Sequence, residues 1–450
     1  MDTTLTAQTT LIGQDEAMSI LEKAISQSEA DGVFVSLSNN ESSLTRYSEN
    51  QIGQNISKTK FQLKVTSYFG KRCATAGMTE LDSEAIAATI RRSEELARIA
   101  PEDPEWVPLL EGQTYENRTP AFDELTATIS PLARAEMVRG VCAAAAKAGV
   151  NGSGTLSTDA TLGAIANSSG VRGCDRYTKA DFGFTARIED GSSWNQRTAW
   201  GIGQLPMEET AAETIDRAKA TREPREVLPG VYPVIFSNAA FADLLIWAIW
   251  NLDARAADEG RSFMSRTDEN GNPTGNRLGE QMFSPIVRVD RNPGHPLLQL
   301  GRFFPNGLSS DRLEVVKDGI PQALAYSRYW AAKQGKQSQG YMYPIVMEGS
   351  DESLAELVAR TERAIFVNRA WYVRYVNPRT LEVTGMTRDG TFLIKDGKIA
   401  YPIKNLRFNQ VLPEMLRDVD AVSKVERYGN SVVPGVRVKA FNFSSVTDSV

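Results

Sequence analysis

A single histidine limits the chemistry that this chain can perform. Its 450 residues include only His295, whereas imidazole is the commonest metal ligand and the usual general base near neutral pH. A metal site with two histidines is therefore excluded, and any Ser-His or Cys-His pair would have to use His295. Because Pro and Gly surround it in residues 292–296 (NPGHP), we predict that His295 lies in a turn. The sequence leaves any further role of this residue open.

The cysteines and the charge balance exclude further classes of function. Cys73, Cys142 and Cys174 are far apart and form no Cys-x-x-Cys pair, so neither a disulfide framework nor a zinc knuckle is predicted. The net charge is −6 without any basic run, which argues against nucleic acid as a partner. With 41% hydrophobic and 24% charged residues, the composition is typical of a folded globular protein.

No segment is predicted to enter a membrane. Residues 1–5 lack the basic and apolar regions of a signal peptide. The longest apolar stretch, residues 241–250, contains Asp243 and has about half the length that spanning a bilayer requires. We therefore expect a cytoplasmic protein without a membrane partner.

The apolar segment 241–252 predicts a helix with two tryptophans at the edges of its buried stripe. The stripe comprises Phe241, Leu244, Leu245, Ala248, Ile249 and Leu252. Trp247 and Trp250 flank it, and because tryptophan is enriched at interfaces, both core packing and contact with a partner remain open for them. The polar residues that follow, which a solvated face explains, are Asn251, Asp253, Arg255 and Asp258.

Two aromatic segments bracket the polar residues 333–340. They are residues 326–330 (YSRYW) and 341–344 (YMYP). Such aromatics could line a peptide channel or pack the loop between them, and packing is favoured because buried aromatic side chains usually belong to cores.

The N-terminal part of the chain predicts an α+β unit. A helix over 13–30 precedes strand-like segments at 33–37, 43–47 and 61–66, the last with the apolar-polar alternation of a sheet that has one buried face. A second helix is predicted over 82–100, with Asp82 or Ser83 as its N-cap. Residues 101–120, which contain four prolines, are interpreted as a surface linker.

The next hundred residues predict the same plan again. The predicted elements are a helix over 130–148, strands at 161–166, 181–188 and 193–200, and a helix over 208–221. This repetition suggests an internal duplication. Residues 151–154 (NGSG) lack the Lys-Ser/Thr of a phosphate loop and are interpreted as a turn.

Residues beyond 224–233, a segment rich in Pro and Gly, predict a β-rich region. A strand at 234–236 precedes a helix that Asn238 caps and that runs to about Glu259. Short apolar runs follow, separated by turn pairs such as Asp389-Gly390 and interrupted by a helix over 353–365. We therefore predict an α+β fold, with a sheet-and-helix N-terminal domain (1–105), a central α+β domain (120–223) and a β-rich C-terminal domain (230–450).

Nearly end to end, the chain resembles the TldD/PmbA family, also called modulators of DNA gyrase. The segments that carry the likeness are 44–55 (LTRYSENQIGQN), 96–104 (LARIAPEDP), 376–380 (VNPRT), 384–390 (TGMTRDG), 397–399 (GKI) and 404–409 (KNLRFN). Their order and spacing together, rather than any one fragment, make the match.

The resemblance also shows what this chain lacks. TldD-type subunits of the family carry His-Glu-x-x-x-His on a helix and a C-terminal cysteine, which hold a catalytic metal such as zinc and leave one position for an activated water. Aligned on residues 260–263 (GRSF), this chain has Leu245, Ile246 and Trp250 where His, Glu and His would stand. Residues 433–439 (VPGVRVK) lack the cysteine. The resemblance therefore implies no catalytic residue and no metal ligand in this chain.

The chain thus resembles the partner subunit, of PmbA or TldE type. This implies a non-catalytic half of a heteromeric metallopeptidase that acts on unfolded or leader peptides, holds an extended peptide and obtains its zinc site from a TldD-like partner. Since segment 241–252 corresponds to the family's active-site helix, the residues predicted to contact peptide or partner are Trp247, Trp250, Asn251, Arg255 and Arg261.

Two other functions stay open at this point. One is a homodimeric peptide-binding or scaffold protein without protease activity. The other, a metal-free hydrolase that uses Ser, Asp or Glu, has the least support because no nucleophile motif is recognisable. The sequence does not decide whether the chain acts as an enzyme on its own.

Overall fold

The computed structural model describes residues 11–447. Residues 1–5, on which the expectation about a signal peptide rests, lie outside this range. Within it, no helix combines the length and the hydrophobicity that crossing a bilayer requires.

The N-terminal half combines helices with long strands. Its helices are α1 (Gln14–Ser26), α2 (Ser83–Ile99), α3 (Glu124–Thr128), α4 (Pro131–Lys147) and α5 (Met207–Ala220). Its strands are β1 (Gly32–Ser48), β2 (Gln51–Phe69), β3 (Arg72–Met78), β4 (Asn151–Asn167), β5 (Arg172–Ile188) and β6 (Gly191–Ala199). Within residues 11–447 these strands form a six-stranded antiparallel sheet in the order β3-β2-β1-β4-β5-β6.

Segments 1–105 and 120–223 contribute three adjacent strands each to this one sheet. They join where β1 pairs with β4, with Leu37 opposite Ala164. The strand order is symmetric about this pair, and each segment has a long helix directly before and another after its strands, with the short α3 as an addition in the second segment. An internal duplication predicts this arrangement.

The predicted helices of this half are confirmed, and local capping signals define the starts of α2 and α4. Asp82 precedes α2, and its carboxylate accepts a hydrogen bond from the Ala85 N–H at 2.8 Å. Ser130 precedes α4, and its hydroxyl accepts one from the Ala133 N–H at 3.1 Å. Such caps satisfy N–H groups that the first helical turn leaves without partners.

One strand prediction and one turn prediction in this half are wrong. Segments 33–37 and 43–47 belong to one strand, β1, because the polar residues between them pair with β2 on one side and β4 on the other. Residues 151–154 open β4 and pair with β5 instead of forming a turn. Gly154 is needed there, since a Cβ atom would lie 2.0 Å from the Gly183 carbonyl oxygen and 2.6 Å from the Tyr47 hydroxyl.

The two faces of the sheet differ. The β1 side chains on one face, Val33, Val35 and Leu37, are buried in a cluster with Leu21 of α1 and Ile90 of α2. Farther along the sheet, a second cluster packs β5 against α4 and α5. Side chains alternate along a strand. The polar residues of β1 that alternate with these buried ones, such as Ser36 and Ser38, therefore face away from the helices and toward the C-terminal half.

The C-terminal half is rich in strands. Its helices are α6 (Asn238–Trp250), α7 (Ala254–Asp258), α8 (Arg328–Gln334), α9 (Leu354–Ala359) and α10 (Leu412–Arg417). Its strands are β7 (Gly230–Phe236), β8 (Ser265–Thr267), β9 (Pro273–Asn276), β10 (Val289–Arg291), β11 (Leu313–Lys317), β12 (Ile320–Pro321), β13 (Ile345–Met347), β14 (Arg363–Asn377), β15 (Glu382–Lys395), β16 (Lys398–Pro402), β17 (Leu406–Val411), β18 (Val419–Tyr428) and β19 (Ser431–Val446).

Part of the C-terminal sheet closes on itself. The strands follow the order β12-β11-β10-β13-β19-β17-β15-β14-β7, and β7 also pairs with β19. Strands β19, β17, β15, β14 and β7 therefore form a ring. Its buried aromatic residues pack edge to face, with ring centroids 5.0 Å apart for Phe236 and Phe441 and 5.2 Å apart for Phe408 and Phe441. The predicted α+β fold with a β-rich C-terminal region is confirmed.

The predicted helix 238–259 is two helices. Ser237, rather than Asn238, caps α6, since its hydroxyl accepts from the Ala240 N–H at 3.1 Å. Helix α6 ends at Trp250. Asp253 then starts α7 by accepting from the Ala256 N–H at 2.7 Å, so a polar cap interrupts a pattern that looks helical throughout.

Two further predictions in this half are wrong. Helix α9 ends at Ala359. Residues 363–365, which the sequence predicts to be helical, start β14 because they pair with β15, and Ile365 also pairs with β7. The Asp389-Gly390 pair lies within β15, where both residues have positive φ and the β14–β15 register shifts. It forms a bulge rather than a hairpin turn.

Candidate functional site

Helix α6 carries the positions that the family resemblance assigns to metal ligands. Leu245 is buried at 1% exposure, Ile246 is half-buried, and Trp250 is 56% exposed. Leucine and isoleucine have no lone pair to donate, and the indole N–H is a hydrogen-bond donor only. These residues do not fit a zinc ion. Within residues 11–447, no group of three or more His, Cys, Asp or Glu side chains is placed to hold a metal ion.

His295 lies in a turn, as predicted. Its backbone N–H donates to the Asn292 carbonyl at 3.2 Å, and its Nδ1 accepts from the Leu297 N–H at 3.2 Å. Burial lowers the pKa of the imidazole, so the ring is largely neutral at pH 7.

Three of the residues predicted to contact peptide or partner form one aromatic patch at the end of α6. The Trp247 ring lies 4.6 Å from that of Tyr375 and 6.2 Å from that of Trp250, measured between centroids. Asn251 donates to the Tyr375 hydroxyl at 2.8 Å. Trp247 is therefore held by its neighbours, whereas Trp250 and Tyr375 are 56% and 44% exposed. We call Trp247, Trp250, Asn251 and Tyr375 the α6 patch.

The other two predicted residues, Arg255 and Arg261, form a separate ion-pair group. Arg255 lies 3.0 Å and Arg261 2.6 Å from the carboxylate of Glu259, and Arg255 also pairs with Glu105 at 2.7 Å. Hydrogen bonds from Arg261 and then Arg255 lower the pKa of the Glu259 carboxyl. Arg255 thereby ties α7 to the segment between α2 and α3.

Helix α6 also holds a carboxyl group whose importance the sequence analysis missed. Burial raises the pKa of Asp243 to about 7, although the positive charge of Arg369 and a hydrogen bond from Tyr428 oppose the shift. Arg369 compensates Asp243 only in part, because its Nη1 donates to Asp389 at 2.9 Å and its guanidinium stacks over Trp194. The sequence signal was an isolated Asp in an otherwise apolar helix.

A cleft of about 680 Å³ separates the polar face of the N-terminal sheet from the C-terminal half. Polar residues on its sheet side include Ser36, Ser38, Asn40, Gln62, Thr161 and Tyr177. Phe303, Phe304 and Tyr343 lie on the C-terminal side. The same wall also carries the charged Lys64, Asp159 and Lys179. The cleft therefore offers hydroxyl, amide and charged groups on one wall and aromatic surface on the other.

An ion pair fixes the width of this cleft. Asp175 of β5, with a side chain 4% exposed, pairs with Arg302 at 2.7 Å and accepts a second hydrogen bond from the Arg302 backbone N–H at 2.6 Å. Because Arg302 precedes Phe303 directly, the pair attaches the aromatic wall to the sheet. The cleft is not predicted from the sequence, although the alternating polar residues of β1 are a usable signal for it.

The two aromatic segments have different roles. Tyr326 and Trp330 are 8% and 4% exposed, and the Trp330 indole N–H donates to Asp258 at 2.7 Å, so packing is confirmed for this segment. Tyr343 and Pro344 of the second segment line the cleft.

Comparison with known proteins gives concordant matches. Residues 124–222 match the central domain and residues 229–445 the C-terminal domain of the PmbA/TldA metallopeptidases. The chain is 23% identical over 431 residues to Metalloprotease PmbA of Escherichia coli O157:H7, covering 91% of this chain and 90% of that protein.

Solved structures share the fold over nearly the whole chain. A candidate modulator of DNA gyrase from Bacteroides thetaiotaomicron superposes with a TM-score of 0.83 at 17% identity, covering 96% of this chain and 99% of that one. TldE from Thermococcus kodakarensis superposes with a TM-score of 0.80 at 16% identity, covering 95% and 100%. With the two domain matches spanning most of its length, the chain belongs to the PmbA/TldD metallopeptidase family.

Proposed function

We propose that this chain is the non-catalytic, PmbA/TldE-type subunit of a heteromeric peptidase, and that a TldD-like partner supplies the zinc site. The observation that carries the proposal is the composition of α6, where Leu245, Ile246 and Trp250 stand at the family's ligand positions. A zinc site with two imidazole ligands needs histidines that this chain does not have. The hydrolytic water is therefore activated on the partner.

The cleft supports a role in holding the peptide. Its hydroxyl and amide groups can pair with the main chain of an extended peptide whatever its side chains are, as an unfolded or leader peptide substrate requires. The Asn40 Oδ1 atom, which is buried without a hydrogen-bond partner among the described residues, would accept from a peptide N–H. The aromatic wall would contact apolar side chains of the peptide.

The α6 patch supports contact with the partner. Exposed tryptophan and tyrosine side chains are enriched in the energetically important centres of interfaces. Trp250 packs against Trp247, and Tyr375 holds Trp247 in place. Binding a partner would therefore immobilise the Trp250 side chain without a large cost in entropy. Arg255 and Arg261, already paired with Glu259, would form part of the polar rim.

The test compares this chain alone, a TldD-like subunit from the same organism alone, and the two co-expressed. The readouts are metal content by elemental analysis and cleavage of an unstructured fluorogenic peptide, with and without chelator. We expect metal in the TldD-like subunit and chelator-sensitive cleavage only by the mixture. Stoichiometric metal in this chain, or cleavage by this chain alone, would refute the proposal.

The second candidate is a homodimeric peptide-binding or scaffold protein without protease activity. The cleft favours it as well, since it lies within one chain and needs no partner. Sedimentation of this chain with and without the TldD-like subunit separates the two candidates. A 1:1 complex supports the first, and a homodimer that ignores the TldD-like subunit supports the second.

A further inference from the structure

A second cavity, of about 480 Å³, lies between the two halves of the molecule on the side of strand β6. Strand β6 and helix α5 contribute to it from the N-terminal half. The first turn of α6, helix α9 and strands β14 and β18 contribute from the C-terminal half. Its volume falls within the range of small-molecule sites.

One side of this cavity holds an arginine that forms no ion pair with a carboxylate of the described residues. Arg217 of α5 donates to the Asn368 side-chain oxygen at 2.9 Å, and no described carboxylate lies within 4 Å of its nitrogen atoms. The acidic residues of the cavity, Glu213 and Glu426, lie 3.5 and 3.6 Å from Arg197. They also attract the charge of Arg217, but without forming an ion pair with it.

Burial of Arg217 makes the missing partner significant. Desolvation lowers the pKa of its guanidinium, yet arginine stays charged at neutral pH. A charge withdrawn from water is stable only when an opposite charge or several hydrogen bonds compensate it. Asn368 supplies one neutral acceptor, and Glu213 and Glu426 compensate the charge only in part, since neither pairs with it directly. The site therefore favours an anion beside Arg217.

The N-terminus of α6 adjoins the same point. Ser237, its N-cap, donates to the Asn368 carbonyl at 2.7 Å, so Asn368 contacts both the guanidinium and the start of this 13-residue helix. The first N–H groups of a helix have no partner within it and carry partial positive charge. Ala239, in the first turn, lines the cavity.

Apart from Asn195, Gln196, Asn238 and Arg427, the rest of the lining is largely apolar. It includes Trp194, Leu354, Val358 and Phe366, of which Trp194 and Phe366 are 8% and 5% exposed. A ligand that only carried charge would leave this surface in contact with water. The lining fits an anionic group joined to an apolar one.

We propose that this cavity binds a carboxylate attached to an apolar group. The carboxylate lies against Arg217 and the first turn of α6, and the apolar group lies against Trp194 and Phe366. The C-terminal residue of a peptide with an apolar side chain and a free medium-chain acid share this chemistry. The site goes beyond the proposed function, because it belongs to this chain and requires neither a partner subunit nor peptide cleavage.

The test is fluorescence anisotropy on the purified chain alone, so its outcome does not depend on whether a TldD-like partner exists. The probe is a hexapeptide that ends in leucine with a free carboxylate, labelled at its N-terminus, and the comparison is the same peptide with a C-terminal amide. We expect the amide to bind at least tenfold more weakly, since it cannot form the charge-assisted bonds that Arg217 offers.

Two variants place the binding in this cavity. Arg217→Gln removes the charge, and Ala355→Phe fills the cavity from an exposed position on α9, so the second variant tests the site even if the first is unstable. We expect each variant to bind the peptide with the free carboxylate at least tenfold more weakly than wild type does. Arg139→Gln, on the exposed surface of α4, is the matched control and leaves affinity unchanged.

Competition with octanoate distinguishes the two sources of the carboxylate. Displacement of the peptide extends the site to free apolar acids, and failure to displace it restricts the site to peptide C-termini; both results support the site. Equal affinity for acid and amide, no binding at millimolar concentration, or parent-like binding by both Arg217→Gln and Ala355→Phe would overturn the proposal.

Discussion

Replacing Asp243 by Asn should remove a pH dependence of stability that this one carboxyl group causes. Asp243 lies within apolar helix α6, and burial raises its pKa from 3.8 to about 7. Asparagine has nearly the same shape, can still accept a hydrogen bond from Tyr428 and cannot ionise. Below about pH 4, where the carboxyl group is protonated in both the native and the unfolded chain, we expect wild type and Asp243→Asn to be equally stable.

The magnitude follows from linkage between protonation and folding. Because the folded-state pKa is higher than the unfolded one, the native protein binds a proton that the unfolded chain has lost between about pH 4 and pH 7. The stability from Asp243 is therefore fully present below that window and declines as pH rises through it. Between pH 5 and pH 8 the free energy of unfolding declines until the pH reaches the folded-state pKa of about 7. The decline therefore extends over about two pH units and amounts to roughly 3 kcal/mol. For a chain of this length it corresponds to a change in Tm of about 3–6 °C.

The assay is thermal unfolding of both proteins at pH values from 5 to 8, followed by circular dichroism. Asp243→Asn should gain Tm relative to wild type as pH rises and should be the more stable protein at pH 8. Asp351→Asn makes the same chemical change at an exposed position and should follow wild type throughout. A Tm difference between Asp243→Asn and wild type that is the same at every pH would refute the reasoning.

Three further substitutions test other parts of the structure. Trp250→Ala removes an exposed ring, so we expect a change in unfolding free energy below about 0.5 kcal/mol but at least a tenfold weaker complex with a TldD-like subunit in isothermal titration calorimetry; unchanged affinity would exclude the α6 patch from the interface. Arg302→Ala leaves the buried carboxylate of Asp175 unpaired, which should cost about 3–5 kcal/mol in urea unfolding, whereas a loss below about 1 kcal/mol would show that the ion pair does not attach the cleft wall. Gly397→Ala would place a Cβ atom 2.1 Å from the Ala359 carbonyl at a φ of +73°, so we expect a loss of about 1–3 kcal/mol in the same assay, and wild-type stability would contradict the turn geometry.

Local signals explain why much of the secondary structure could be predicted from the sequence. Helices α2 and α4 begin after Asp82 and Ser130, residues whose side chains cap a helix within three positions of their own place in the chain. The exclusion of a two-histidine metal site is equally direct, because composition alone decides it. Neither inference needs to know which segments meet in space.

The errors occur where pairing between distant segments overrides a local pattern. Residues 363–365 look helical, yet they lie between β15 and β7, and their backbone groups are satisfied by strands rather than by a helix. The polar middle of β1 looks like a break between strands, yet β2 and β4 flank it. In both places the hydrogen bonds come from segments that a window of ten or fifteen residues does not contain.

The sequence by itself determined the α+β composition, the capped helices and the absence of the family's histidine ligands, because each depends on residue identity or on neighbours a few positions away. Only the tertiary structure decided that both N-terminal segments share one sheet, that the cleft faces that sheet's polar side and that Arg217 lies beside the first turn of α6. Leu37 pairs with Ala164, which lies 127 residues later in the chain. Arg217 contacts Asn368, which lies 151 residues later. Contacts at such separations arise from the packing of whole elements, which no local pattern specifies.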